Sequence, residues 1–401
     1  MIRPLLVLTL VLAAGCSGGG SGVFGTAGAP ASTGALRVAA DSASAMPGDS
    51  ASAMPGDSAS AMPGDSATAM PGATFACTPA LQTGSASCTL AISVNTTPVA
   101  DPGTPAALIP GLHPADLAQA YALPIGNAGR TVAIVDAYDD PAAESDLAVY
   151  RAAFGLPPCT TANGCFRKVD QRGGGAFPRP DPAWSSEIAL DLDMVSAGCP
   201  RCTILLVEAD SAQLDDLGAG VDTAASLGAA AISNSYYSPE WANEGGEDVH
   251  YRHPGVAITA SSGDRGKPSY PAVSPLVTSV GGTSLTAAGE QPWAYGGRGC
   301  SAYVAKPTWQ HGGTCTTRSA VDVAAVADPA TGVAMFDALA GGWVVGGGTS
   351  IGAPLVAAAY ALGIPAPPAY SYAHPGGFHP LSPSGYDNTT GLGYPAGVAG
   401  L

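Results

Sequence analysis

From residue 112 onward the sequence repeats a pattern that few architectures can accept: short, unbroken apolar runs separated by stretches of helical period. Residues 131–136, 203–208, 229–235 and 256–259 each contain a run of consecutive apolar residues, as a strand covered on both faces requires. Residues 141–154, 184–197 and 211–227 carry the helical period between them. Strand and helix taken in turn predict an α/β fold, a doubly wound, mostly parallel sheet with helices on both faces, built as one domain over residues 108–401. After residue 16 no stretch has the ~20 consecutive apolar residues that a membrane-spanning helix needs.

What precedes this block cannot form a core of its own. Residues 5–14 are an apolar run behind Arg3, too short for a bilayer but the size of a signal-peptide core, so residues 1–16 read as an export signal. The run ends Leu12-Ala13-Ala14-Gly15-Cys16, which leaves two outcomes open: acylation of Cys16 as at a bacterial lipobox, giving a lipid anchor, or plain secretion. Residues 17–72 read as a disordered linker. They include four tandem octapeptides, DSASAMPG at 41, 49 and 57 and DSATAMPG at 65, each broken by Pro-Gly. Residues 73–107 are too short for an inhibitory domain of ordinary size and form either an N-terminal extension or the remnant of a propeptide.

Nine cysteines are present, and setting Cys16 aside leaves an even set, which suits an oxidising compartment. Proximity in sequence suggests Cys77 with Cys88, Cys159 with Cys165, Cys199 with Cys202, and Cys300 with Cys315. Cys199-Pro200-Arg201-Cys202 also fits a CxxC redox motif, so a secreted oxidoreductase is a second function class. The formal charge of −16 and pI near 4.5 exclude nucleic acid and anionic membrane as partners. Less carboxylate repulsion at low pH is compatible with an acidic workplace.

The sharpest chemical signal is Gly346-Gly347-Gly348-Thr349-Ser350-Ile351-Gly352-Ala353-Pro354, followed by an apolar helix-like run. A serine at a helix start has an exposed hydroxyl near the positive end of the dipole, and glycines ahead of it let substrate come close. Ser is also a common helix cap, so the motif must find a base elsewhere to be catalytic. None of the six histidines, His113, His250, His253, His311, His374 and His379, lies in a helix segment suited to that role. The carboxyl candidates are in Trp184-Ser185-Ser186-Glu187-Ile188-Ala189-Leu190-Asp191-Leu192-Asp193. On a helix, residues four apart fall about 40° from each other, so Glu187 and Asp191 share a face, and two like charges there push one pKa up.

These residues together resemble the sedolisin family, the serine-carboxyl peptidases: GTSxxxP around Ser350, ExxxD at Glu187 and Asp191, and Ser262-Gly263-Asp264-Arg265-Gly266 for SGDxG. The resemblance spans roughly residues 112–396 and implies a subtilisin-like fold and serine-type endopeptidase activity on proteins or peptides at acidic pH. It implies Ser350 as nucleophile, Glu187 as general base, Asp191 as the carboxyl that orients it, and Asp264, protonated, as an oxyanion donor. It further implies Ser233, Asn234 and Ser235 as the strand edge that pairs with substrate, with Tyr237 in place of the family's usual glycine. Asp136, at the end of the first strand, is read as a structural acid or one that supports the catalytic groups from behind.

No cofactor is expected for the chemistry. The family's structural calcium is expected to be weakened, because Pro380 replaces one ligand aspartate and leaves Asp387 as the remaining candidate. The family's large N-terminal prodomain is missing. A monomer is expected, and a catalytically silent surface protein that binds peptides or envelope components is the alternative function.

Overall fold

The computed structural model describes residues 70–401 apart from 81, 364 and 365. The export signal, the lipobox cysteine and nearly all of the repeat linker lie outside the described residues. In chain order the N-terminal strands are β1 (Ala73–Phe75), β2 (Ser87–Cys88) and β3 (Ala91–Ser93), followed by helix α1 (Pro114–Ala120). The α/β block runs β4 (Thr131–Ala137), α2 (Ala143–Ala153), β5 (Phe166–Asp170), α3 (Pro182–Gly198), β6 (Thr203–Ala209), α4 (Leu214–Ser226), β7 (Ala231–Asn234), β8 (Tyr236–Pro239) and β9 (Ala257–Ser261). Then come β10 (Ser269–Tyr270), β11 (Thr278–Thr286), β12 (Gly289–Pro292), β13 (Cys300–Ala305), β14 (Thr317–Ser319), β15 (Val323–Val326), β16 (Val333–Asp337), β17 (Gly342–Gly347) and α5 (Gly352–Leu362).

The main sheet has eight strands in the order β12-β11-β9-β7-β4-β6-β5, with β15 also on β11. All neighbours are parallel except β12, which returns antiparallel beside β11. The apolar runs are two-sided for a simple reason. In β4, Val132 and Ile134 face a core shared with α3 and α5, while Ala133 and Val135 face the core under α4. The same split holds in β6, where Ile204 and Leu206 oppose Leu205 and Val207. The fold is therefore α/β, doubly wound, with helices on both faces, as the periodicity predicts.

Four disulfides join Cys77–Cys88, Cys159–Cys165, Cys199–Cys202 and Cys300–Cys315, the pairings suggested by proximity in sequence. Beyond the main sheet, β16 and β17 form an antiparallel hairpin onto which the chain's N-terminal strands add, in the order β1-β3-β17-β16. The loop carrying Asp322 is fixed by a buried ion pair. Arg318 reaches Asp322 with both terminal guanidinium nitrogens, at 2.7 and 2.6 Å, and Tyr372 Oη and Ser279 N also donate to that carboxylate.

Candidate active site

In a doubly wound sheet, ligands bind beyond the carboxyl ends of the strands, near the place where strand order reverses. Here β4 is central, β6 and β5 lie to one side, and β7, β9 and β11 to the other. The loops and strand ends at that place carry Asp136 (β4), Ser235 (after β7), Asp264 (after β9) and Ser350 (before α5).

Helix α3 supplies two further acids. It begins sharply because Asp181 caps it, its carboxylate accepting from Ala183 N and Trp184 N at 3.1 and 3.2 Å, with Pro182 in the first helical position. Every residue from Trp184 to Gly198 is buried, so the helix is apolar nearly all round and lies inside the protein. Glu187 and Asp191, one turn apart, are both fully buried. Asp191 accepts from Ser235 Oγ at 2.8 Å through one oxygen and leaves the other unpartnered.

Neither oxygen of Glu187 makes a hydrogen bond of ordinary geometry, although the Ser350 hydroxyl and the Leu90 amide lie close enough to favour its charged form. Burial, and then the charge of Asp136, pushes Glu187 well above the usual carboxylate range; burial, Asp136 and Glu187 do the same to Asp191. Asp136 itself has no partner for either oxygen, and burial pushes it up to about 8. Three carboxyls thus share one dry volume, where they cannot all be ionised together. Asp136, read from the sequence as a structural or supporting acid, is a member of this cluster.

Asp264 is also buried, which raises it to about 7. Its Oδ1 accepts from Thr349 N at 2.9 Å and from Thr349 Oγ1 at 2.8 Å, which ties it to the residue before the serine. Its Oδ2 has no partner among the described residues and points at Gly348, lying 2.7 Å from where a Cβ on that residue would sit. Gly348 has φ +97°, so a side chain there would strain the backbone as well as fill this space. Protonated, Asp264 can donate from Oδ2; ionised, it cannot.

The structure thus brings Ser350, Glu187, Asp191 and Asp264 to one end of the sheet. It does not give Ser233 and Asn234 the edge expected of them. Ser233 is paired on both sides, with Ile134 in β4 and Thr259 in β9, and Asn234 pairs with Ala260. Two residues on, β8 pairs antiparallel with β2 on one side and with β10 on the other. Ser235 turns its hydroxyl inward to Asp191. Asp387, the candidate calcium ligand, closes a turn: its oxygens accept from Thr389 N, Thr390 N and Thr390 Oγ1 at 2.7, 2.7 and 2.6 Å.

Sequence reasoning missed Thr89 and Ser261. Thr89 Oγ1 hydrogen-bonds Ser350 Oγ directly and donates to Ser261 Oγ at 3.0 Å. Ser350 is fully buried, although a nucleophile must reach substrate.

No protein-family model matches the chain, and no curated protein matches it. Among solved structures, Pseudomonas sedolisin (serine-carboxyl proteinase), complexed with two molecules of pseudo-iodotyrostatin, superposes with a TM-score of 0.61 at 23% identity, covering 72% of this chain and 96% of that one. A lanthipeptide protease superposes with a TM-score of 0.51 at 14% identity, covering 71% and 91%. The chain has the subtilisin-like fold on which these proteases are built.

Proposed function

We propose that the protein is an exported serine-type endopeptidase that works through Ser350, Glu187 and Asp191 at acidic pH. One observation carries this reading: a serine hydroxyl, an adjacent acid cluster and an acid with a free oxygen converge at one strand-end site, around a backbone carbonyl. Ser350 Oγ attacks the peptide carbonyl while Glu187 takes its proton. Asp191, fixed by Ser235, holds Glu187 and shares the cluster's charge. Asp264, protonated, donates to the oxyanion, and Thr349 keeps it aimed. Glu187 then returns the proton to the leaving nitrogen, and water hydrolyses the acyl-enzyme.

Export is supported by the four disulfides, which persist in oxidising compartments. Among the described residues no helix is long and apolar enough to cross a membrane.

The test is cleavage of casein by wild type, Ser350→Ala and Glu187→Gln across an acid-to-neutral pH series. Wild type is expected to cleave fastest in acid and both variants to be inert; cleavage retained by Ser350→Ala overturns the assignment.

A further inference from the structure

The residues that cover the site belong to this chain. Ala86 N donates to Ala212 O at 2.7 Å, and β2 then runs antiparallel along β8, with Ser87 opposite Tyr237 and Cys88 opposite Tyr236. Beyond the site, Ala91 and Ile92 run antiparallel along β17, opposite Gly347 and Gly346. A peptide added as a strand to exposed edges is how a cleft recognises an extended backbone, and here both flanks of one segment are added in that way.

Between the flanks lie Thr89 and Leu90, 1% and 0% exposed. The Thr89 carbonyl oxygen lies 1.7 Å from the point where a Cβ on Gly348 would sit, beside the free Oδ2 of Asp264. The Leu90 amide faces Glu187, and the Thr89 hydroxyl bonds Ser350 and Ser261. The carbonyl is thus at the acid suited to an oxyanion, and the nitrogen is at the acid suited to protonate a leaving amine.

We infer that Thr89–Leu90 is a self-processing site: the chain presents this bond to its own Ser350, is blocked while the bond is whole, and is opened by its hydrolysis. The inference rests on the peptidase reading above. Ser350 Oγ bonds to the Thr89 carbonyl carbon and its proton passes to Glu187. The carbon–nitrogen bond then breaks, and Leu90 N takes that proton as a new amine. Water cleaves the resulting ester, regenerating Ser350 and leaving a carboxylate on Thr89. The departing piece carries the Cys77–Cys88 loop intact, since both cysteines precede the cut.

The full-length chain, purified near neutral pH and shifted to about pH 5, tests this by mass spectrometry of its fragments alongside casein cleavage. Expected are fragments ending at Thr89 and beginning at Leu90, formed at a rate independent of protein concentration, with casein cleavage rising in step. Ser350→Ala is expected to lose the cut. Leu90→Pro, which removes the amide hydrogen, is also expected to lose it, and casein cleavage with it. A chain that cleaves casein with Thr89–Leu90 whole, or that is cut only elsewhere, overturns the inference and leaves the peptidase reading standing. A chain neither cut nor active also overturns it. The Cys77→Ser/Cys88→Ser variant, whose segment has lost its internal loop and is held in the cleft less rigidly, then decides the peptidase reading by whether Ser350 reacts with a peptidyl aldehyde.

Discussion

At the scale of single residues, the site is organised by what burial does to carboxyls. Asp264 can donate to an oxyanion only while it holds a proton, and burial keeps that proton on up to about pH 7. Activity is therefore expected to fall as pH rises through that value. Asp264→Asn, which keeps a neutral donor at every pH, is expected to act more slowly but to lose this alkaline limb, as read from kcat against pH. Asp264→Ala should cost about 10²–10³ in kcat, the usual loss when an oxyanion donor is removed.

Asp136 acts through its neighbours: its charge raises both Glu187 and Asp191. Asp136→Asn is expected to lower the pH at which the cluster ionises, moving the acid limb of the profile down with KM little changed. Ser350, Glu187, Asp191 and Asp264 were legible because each sits in a short motif of recognisable spacing. Thr89 was not, because Ser87-Cys88-Thr89-Leu90 has no local mark of chemistry and lies far from the serine in sequence. Asp136 could be read only as a structural or supporting acid for a different reason: its surroundings depend on two acids brought to it by a remote helix.

At the scale of elements, the buried strands β4, β6 and β9 and the helices α3 and α4 could be read from the sequence because hydrophobic period alone specifies them. The edge strand β5 escaped notice, since Arg167 and Lys168 interrupt its apolar character. The hairpin β16–β17 escaped too, because it follows no α/β rhythm. Ser233 and Asn234 were read as a strand edge because sequence does not say where a strand leaves one sheet for another, and Ser235 separates the interior strand β7 from β8. Helix α3 depends on its cap. Asp181→Ala should lower stability by about 1 kcal/mol in denaturant unfolding, with the Glu187–Asp191 face otherwise retained.

For the whole molecule, acid should stabilise and mild alkali destabilise. Burial raises Asp136, Glu208 and Glu244 to about 8, and Asp140, Asp264 and Glu290 to about 7. In the unfolded chain such groups ionise near their ordinary values of about 4, so between there and 7–8 the native state binds more protons. Stability from these groups is complete below the ordinary value and is lost as pH rises through the raised ones. The melting temperature is accordingly expected to rise when pH is lowered from about 8 to about 5, by calorimetry. Separately, Arg318→Ala should cost about 3–5 kcal/mol, because it strands the Asp322 carboxylate in the interior.

The antiparallel seating of residues 87–91 in the cleft makes a latch that works once. While the backbone is continuous, the segment meets the cleft at an effective concentration that no free peptide could match. When the link is severed that advantage vanishes, and dilution carries the detached piece away. Such a latch is a timer rather than a thermostat: each molecule stays dormant until the cut, fires a single time, and has no route back to rest.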